Sequence, residues 1–271
     1  MPYDKKISRQ NPGLILFVLD DSGSMASNLS GTSDPKYQWV ERYFGIILKE
    51  LLARSTEVKG NGIVVKPRYL VYVLLYGSTQ KVWGNGELDI QAAVEQYTEA
   101  GNSLGLGGHL SGTNAAAAYQ MTLDYLKNAI SQERFRDSFP PMVFHLTDGE
   151  SWTDATPVAE QLRQLSTTDG NVLMVNAYIG TQTSLSYNGP EDFPGYLDAG
   201  EAGTSKHNAR LFAMSSEVPL CIHQNLIADG VFPNLRPGTR LFFDVRTKEM
   251  LKQVIQVVGS LGSRADRLMR E

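Results

Sequence analysis

The sequence predicts an α/β fold of the doubly wound type, with a mostly parallel central sheet, helices on both faces and one antiparallel edge strand. Short apolar runs of strand length alternate along the chain with longer segments whose apolar residues recur at helical spacing. Such alternation is typical of right-handed βαβ units, whose helices cover both faces of a parallel sheet.

The first half of the chain is predicted to hold three strands and three helices. Leu14–Leu19 is a continuous apolar run that ends at acidic residues, which is typical of a strand buried on both faces. Tyr69–Tyr76 is a second such run, and a short turn leads from it into an antiparallel edge strand at 81–83. Helical spacing predicts helices at about 37–53, 91–100 and 114–132, with a Gly-rich loop at 101–112.

The second half continues the alternation. Further strands are predicted at 142–146, 172–179 and 240–245, and further helices at 156–165, at 209–215 and around Met250, Leu251, Val254, Val258 and Leu261. The segment 218–237 has no pattern that assigns it. The stretch 180–208 is polar, Gly-rich and aperiodic, which is typical of a functional or mobile loop.

Composition and charge describe one ordinary globular domain. The 271 residues are 42% hydrophobic and 20% charged, which excludes wholesale disorder. We expect a single domain over 1–271, with its core at about 14–261 and a polar insertion at about 180–208. The net charge of −4 argues against a nucleic-acid partner, because phosphate binding usually leaves a basic footprint.

Cysteine content and hydropathy indicate a compartment. Cys221 is the single cysteine, which excludes a disulfide framework within the chain and a multi-cysteine zinc site. The first residues lack the apolar stretch of a secretory signal, and the longest apolar runs are too short to span a bilayer. We expect a cytoplasmic protein without a membrane partner.

Oxygen-bearing side chains follow the predicted strands at one edge of the sheet. Asp20, Ser22 and Ser24 alternate along the loop after the first strand, so their side chains face one point. Thr113 and Asp148 fall where the same edge would place them, and ligands of such sheets bind at this edge. A site that offers only oxygen donors suits a hard cation such as Mg²⁺.

In type, order and approximate separation, these five residues resemble the metal-ion-dependent adhesion site (MIDAS) of the von Willebrand factor A (VWA) domain family. That motif is Asp-x-Ser-x-Ser, followed by a distant Thr and a distant Asp. The resemblance covers about 14–261 and implies that Ser22 and Ser24 bind Mg²⁺, or Mn²⁺ or Ca²⁺, directly. It also implies that Thr113 binds in some states and that Asp20 and Asp148 often bind through water.

The resemblance implies metal-dependent protein–protein interaction, not catalysis. Neutral hydroxyls leave much of the metal charge unquenched, so a replaceable metal-bound water becomes a docking point for a partner's Asp or Glu. Met25 and the Thr147–Glu150 run make the chain most similar to intracellular bacterial members of the tellurite-resistance type. A kinase, a phosphatase, an AAA+ ATPase or a stress-response system is the kind of partner this implies.

Three features of the sequence also match other interpretations. A Mg-dependent phosphohydrolase of the haloacid-dehalogenase-like type would use Asp20 as nucleophile, but Ser22 stands where such enzymes carry a second Asp. Gly101–Gly105 matches the Gly-x-Ser-x-Gly nucleophile elbow, yet that motif requires a strand before it and a helix after it. If no metal binds, Asp20–Ser24 is an ordinary polar turn after a strand, in which an Asp caps the next helix.

Neighbouring polar residues are expected to have roles other than metal binding. Asp21 is the free position of the motif and is expected to be solvated or capping. Glu150 and Asp154 are expected at the rim or in structural roles rather than as ligands. His109 is expected to be an exposed loop residue, and His145 a hydrogen-bonded core histidine.

The segment 180–208 leaves from the carboxyl end of the strand predicted at 172–179. We therefore expect it to rim the metal face and to offer Tyr187, Phe193 and Tyr196 as an adaptable contact surface.

Overall fold

The computed structural model describes residues 2–60, 62–149, 151–180, 189–203 and 205–260. The strands are β1 (Gly13–Asp20), β2 (Thr56–Lys59), β3 (Gly62–Val65), β4 (Tyr69–Tyr76), β5 (Gln80–Val82), β6 (Leu88–Asp89), β7 (Met142–Thr147), β8 (Ser166–Thr167), β9 (Gly170–Asn171), β10 (Leu173–Ile179) and β11 (Phe242–Val245). The helices are α1 (Lys36–Arg54), α2 (Ile90–Glu99), α3 (Ala115–Ser131), α4 (Glu133–Arg136), α5 (Thr156–Gln164), α6 (Lys206–Met214), α7 (Leu220–Ala228) and α8 (Lys248–Gly259). Short 3₁₀ helices cover Gly23–Ala26 and Pro190–Asp192.

The central sheet confirms the predicted fold class. Its order is β11-β10-β7-β1-β4-β5, and the five strands from β11 to β4 run parallel. β5 pairs antiparallel with β4 at the edge, as predicted, and the short β6 also pairs antiparallel with β4. In the sheet, β1 lies between β4 and β7. The chain passes from β1 to β4 on one side and later returns to β7 on the other side, so the strand order reverses between β1 and β7. This switch point is where open α/β sheets bind ligands.

Helices cover the sheet in two groups. α1 packs against α2 and α8, whereas α3 packs against α4 and α5, and α5 against α6. Aromatic contacts join the layers: the Phe17 ring of β1 lies 5.0 Å from Phe44 of α1, edge to face. All eight residues of β1 are buried, which explains its continuous apolar sequence.

Several elements were not predicted. The hairpin of β2 and β3 lies outside the central sheet, with Val58 and Ile63 exposed. Its sequence signal is the Gly-Asn-Gly turn, where Gly60 has a φ of +62°. α4 is a single turn, and α7 occupies part of the unassigned 218–237 segment. Leu261, assigned to the last helix, lies outside the described residues.

Among the described residues, no helix combines the length and apolar character that crossing a membrane requires.

Candidate metal centre

The loop after β1 brings the three alternating residues of the first motif together. The Ser22 backbone N–H donates to Asp20 Oδ1 at 2.9 Å, which folds the chain back over the end of the strand. The hydroxyl oxygens of Ser22 and Ser24 lie 3.1 Å apart. The predicted convergence of these side chains is therefore present.

Asp148 joins this loop from the neighbouring strand β7. Ser24 Oγ donates to Asp148 Oδ1 at 2.6 Å, although the two residues are 124 positions apart in the sequence. The register of β1 and β7 pairs Leu19 with Leu146, so the residues that follow each strand meet at the switch point.

Thr113 reaches the same place through the Gly-rich loop. A Cβ built on Gly149 would lie 3.7 Å from both Ser24 Oγ and Thr113 Oγ1, so the two hydroxyls flank one small space beside the Gly149 backbone. Backbone hydrogen bonds hold Thr113 in this position. The Asn114 N–H donates to the Gly77 carbonyl, and the Trp152 N–H donates to the Thr113 carbonyl. The structure thus brings together all five predicted site residues.

Asp20 is the most deeply buried of the five. Its Oδ2 accepts a hydrogen bond from Thr147 Oγ1 at 2.6 Å, while Oδ1 takes the Ser22 N–H. Burial raises the pKa of its carboxyl group to about 6, against the lowering effect of these hydrogen bonds, and the nearby Asp148 charge also raises it. Sequence reasoning missed Thr147, since nothing but the β1–β7 register shows that it faces Asp20.

A buried cation, Lys36, also belongs to the centre and was missed. Its Nζ donates to Asp148 Oδ2 at 2.6 Å, and both side chains are almost completely buried. Lys36 is the first residue of α1, where the helix dipole disfavours a positive charge. An apolar-periodic helix that opens with a lysine was the available signal, because such a residue needs an anionic partner when buried.

Asp21 is not solvated, and that part of the expectation is wrong. The residue is buried, and its Oδ1 accepts hydrogen bonds from the backbone N–H groups of Gly107 and Gly108, both at 2.8 Å. It therefore caps loop amides rather than a helix. Glu41 of α1 does the same for an earlier part of the loop, since its Oε1 accepts from the Leu104 and Leu106 N–H groups.

The remaining polar residues behave mostly as expected. Asp154 is exposed and accepts from the Thr156 N–H at the start of α5. Hydrogen bonds with the Thr156 side chain and with this N–H lower the pKa of Asp154. Glu150 lies outside the described residues. His109 is exposed, as predicted, and His145 is buried and hydrogen-bonded. Ser103 lies on the loop that follows α2, and its hydroxyl donates to Glu41 of α1. A nucleophile elbow needs a strand before the serine, so that geometry is not present.

Part of the predicted rim is core instead. Phe193 and Tyr196 are buried, so their expected role as an adaptable contact surface is wrong. Tyr187 lies outside the described residues. The end of the 180–208 segment does reach the site, because His207 of α6 lines a narrow pocket with Thr113 and Gly149.

The donor set fits a hard divalent cation. Three hydroxyls and two carboxylates converge at the switch point, and the space that a Cβ on Gly149 would fill is left free between two of those hydroxyls. Ser24 is exposed, so the arrangement opens to solvent on one side. Oxygen donors of this kind are what Mg²⁺ and Mn²⁺ prefer.

Comparison with solved structures finds neighbours of the same fold at low sequence identity. The PilB minor pilin of Streptococcus sanguinis, as its D319A mutant, superposes with a TM-score of 0.53 and 9% identity, over 92% of this chain and 60% of that one. Proximal thread matrix protein 1 from the mussel byssus gives 0.51 and 10%, over 95% and 48%. The same mussel protein with a zinc-occupied MIDAS motif gives 0.50 and 13%, over 94% and 46%.

These neighbours support a VWA fold for this chain. The chain spans about half the length of the mussel protein. No family model and no curated protein matches the sequence.

Proposed function

We propose that this protein is a binding module that docks an acidic side chain of a partner protein through a divalent cation held by Asp20, Ser22, Ser24, Thr113 and Asp148. The observation that carries the proposal is the meeting of these five oxygen donors at the switch point of the sheet. The fold and the zinc-occupied MIDAS of the mussel protein support a divalent metal in such a module.

The five residues supply two kinds of oxygen ligand. The hydroxyls of Ser22, Ser24 and Thr113 supply neutral oxygens, while Asp20 and Asp148 supply negative charge from buried positions. When bound, the cation supplies an open coordination position for a carboxylate oxygen. Because Ser24 is exposed, this position faces a partner.

The resemblance in sequence extends the proposal. Mg²⁺ is the proposed cation, with Mn²⁺ or Ca²⁺ as substitutes, and an Asp or Glu is the proposed anchor on the partner. A kinase, a phosphatase or an AAA+ ATPase is the proposed kind of partner, within a cytoplasmic stress-response system of the bacterial tellurite-resistance type.

The surroundings of Asp20 disfavour the phosphohydrolase alternative. Both carboxylate oxygens are engaged in hydrogen bonds and the residue is fully buried, whereas a nucleophile needs a free oxygen aimed at the substrate. A phosphatase assay with Mg²⁺ tests this directly, because turnover that is lost in Asp20→Asn would favour the enzyme.

The binding proposal is tested by thermal unfolding with and without MgCl₂ or MnCl₂. A ligand that binds only the folded state raises the melting temperature, so we expect a modest rise for the wild type. Asp20→Ala combined with Asp148→Ala should remove that rise. Because Asp148→Ala also leaves Lys36 buried without its partner, circular dichroism first establishes that the double variant is folded at the starting temperature. Gly149→Ala should reduce it as well, because the added methyl group fills the space between the Ser24 and Thr113 hydroxyls.

The matched control removes two exposed carboxylates elsewhere, Asp124→Ala with Glu99→Ala, and should keep the full rise. If the double site variant is stabilised as much as the wild type, the ions bind at another place and the proposed site is wrong.

A further inference from the structure

The Lys36–Asp148 pair is the feature of the candidate metal centre that the proposed function leaves unexplained. The Lys36 side chain is 3% exposed and that of Asp148 is fully buried. Burying an ion pair costs desolvation energy that its attraction often only balances, so a structural need for it is not evident. An apolar residue would begin α1 without that cost.

Hydrogen bonds divide the Asp148 carboxylate between two roles. Oδ1 accepts from Ser24 Oγ, on the side of the converging hydroxyls, whereas Oδ2 accepts from Lys36 Nζ. Lys36 therefore holds the oxygen that points away from Ser24, and its charge lies within a few ångströms of the oxygen that faces the site. It sits behind the site as a fixed counter-charge.

The formal charges of the side chains at the site show how Lys36 affects cation binding. Asp20 and Asp148 contribute −2 and Lys36 contributes +1, so the site offers −1 to a cation. Asp21 lies next in sequence, but its carboxylate is turned to the Gly107 and Gly108 amides. With a divalent cation the sum is +1, whereas it would be zero without Lys36.

We propose that Lys36 tunes the centre, weakening its affinity for the divalent cation and strengthening the attraction of the loaded centre for a partner's carboxylate. The inference rests on the proposed function and names the residue that couples its two binding events. The residual positive charge is cancelled only when an acidic group docks, so cation and acidic partner bind cooperatively.

The magnitude follows from Coulomb's law. Even at the dielectric constant of bulk water, a unit charge about 6 Å from a divalent cation changes the binding constant of that cation by about tenfold. Repulsion from Lys36 is therefore large enough to measure in a site that is mostly shielded from solvent.

The test is calorimetric titration of the full chain with MgCl₂ for the wild type, Lys36→Met, Lys36→Gln and Lys36→Arg. The two neutral variants should bind Mg²⁺ about tenfold more tightly than the wild type, and Lys36→Arg, which keeps the charge, should bind as the wild type does. A second titration, with acetate at saturating Mg²⁺, should show weaker acetate binding in the neutral variants. A merely structural role for Lys36 would weaken Mg²⁺ binding instead.

Each result has one meaning. Equal or weaker Mg²⁺ binding by folded neutral variants overturns the proposal, and so does the failure of both neutral variants to fold, because tuning requires a fold that stands without Lys36. If wild type and neutral variants all fail to bind Mg²⁺, the proposed function fails with it. If the wild type binds and the neutral variants bind no more tightly, only the role of Lys36 is lost.

Discussion

His145 lies on β7, three residues before Asp148, and shows how the interior below the metal centre is held. Its Nε2 is 2.7 Å from Tyr76 Oη, and its Nδ1 is 2.9 Å from Asn176 Oδ1. Because an amide oxygen only accepts, the ring is assigned its proton on Nδ1 and accepts the Tyr76 hydroxyl at Nε2. The network suits a neutral imidazole, and burial lowers the pKa of His145 to about 4.

This lowered pKa makes stability depend on pH. The unfolded chain takes up a proton near pH 6.5, whereas the folded chain does so only near pH 4, so stability is lost as pH falls between these values. We expect this histidine to contribute a loss on the order of 3 kcal/mol to the free energy of unfolding. Urea unfolding at several pH values measures it.

The control for this prediction is His145→Gln, which keeps a polar side chain without the titration. Its unfolding free energy should be lower at pH 7.5 but fall less steeply towards pH 4 than that of the wild type. Parallel curves for the two proteins would show that His145 does not carry the pH dependence.

At the scale of single residues, sequence reasoning found the side chains whose type and spacing are distinctive. Asp20, Ser22 and Ser24 form a local motif, and Thr113 and Asp148 could be added because parallel strands bring their ends to one edge. Thr147 could not be found in this way, and the lysine that opens α1 signals only that it needs an anionic partner, not which one. Their roles depend on the approach of α1 and on the β1–β7 register, which a single sequence does not state.

At the scale of elements, the loop at 101–112 positions Thr113 without being a regular structure. Gly108 and Gly112 have φ values of +66° and +64°, and a Cβ on Gly108 would lie 3.2 Å from the Ser22 carbonyl oxygen. Glycine is therefore required where the loop passes against the first motif. Asp21 ties the loop down there through the Gly107 and Gly108 amides.

Asp21 is thus expected to support metal binding without being a ligand. Asp21→Ala leaves two amides without their acceptor, which should cost about 1–3 kcal/mol of stability and loosen the approach of Thr113. The expected result is a severalfold loss of Mg²⁺ affinity together with faster hydrogen exchange at Gly107 and Gly108.

Asp21→Asn is the matched variant, because its amide oxygen still accepts hydrogen bonds, and it should retain most of the affinity. If Asp21→Ala binds Mg²⁺ as the wild type does while its loop amides exchange faster, the loop does not position Thr113.

Element prediction succeeded where the periodicity was strong and failed where tertiary packing decides. β4 and α3 match the predicted ranges to within one residue, because their apolar patterns extend over many positions. α7 and the hairpin of β2 and β3 have short or exposed apolar segments, so their patterns do not separate them from loops.

At the scale of the whole molecule, residues 189–203 cover the β11 edge of the sheet rather than a binding face. The Arg240 N–H donates to the Tyr196 carbonyl, and Arg240 precedes β11, so this part of the chain lies at the amino end of that strand. The prediction that this part of the segment rims the metal face is therefore wrong, because the sequence shows only where the segment leaves β10 and not where it goes next. Covering an edge strand also protects it from pairing with other chains.

Phe193 holds this cover in place and gives the prediction at this scale. Its ring is fully buried and lies 5.2 Å from that of Phe232 and 5.6 Å from that of Phe243, between the segment and β11. Phe193→Ala should lower the free energy of unfolding by about 3–5 kcal/mol, because it leaves a cavity that the aromatic cluster cannot close.

The control is Leu197→Ala, at a residue that is 43% exposed, which should change the free energy of unfolding by about 0.5 kcal/mol or less. If urea unfolding finds both variants equally stable and only partner binding changes, residues 189–203 form a contact surface after all. A large loss for Phe193→Ala alone makes residues 189–203 part of the folded core, because only a packed aromatic ring leaves a cavity when it is removed.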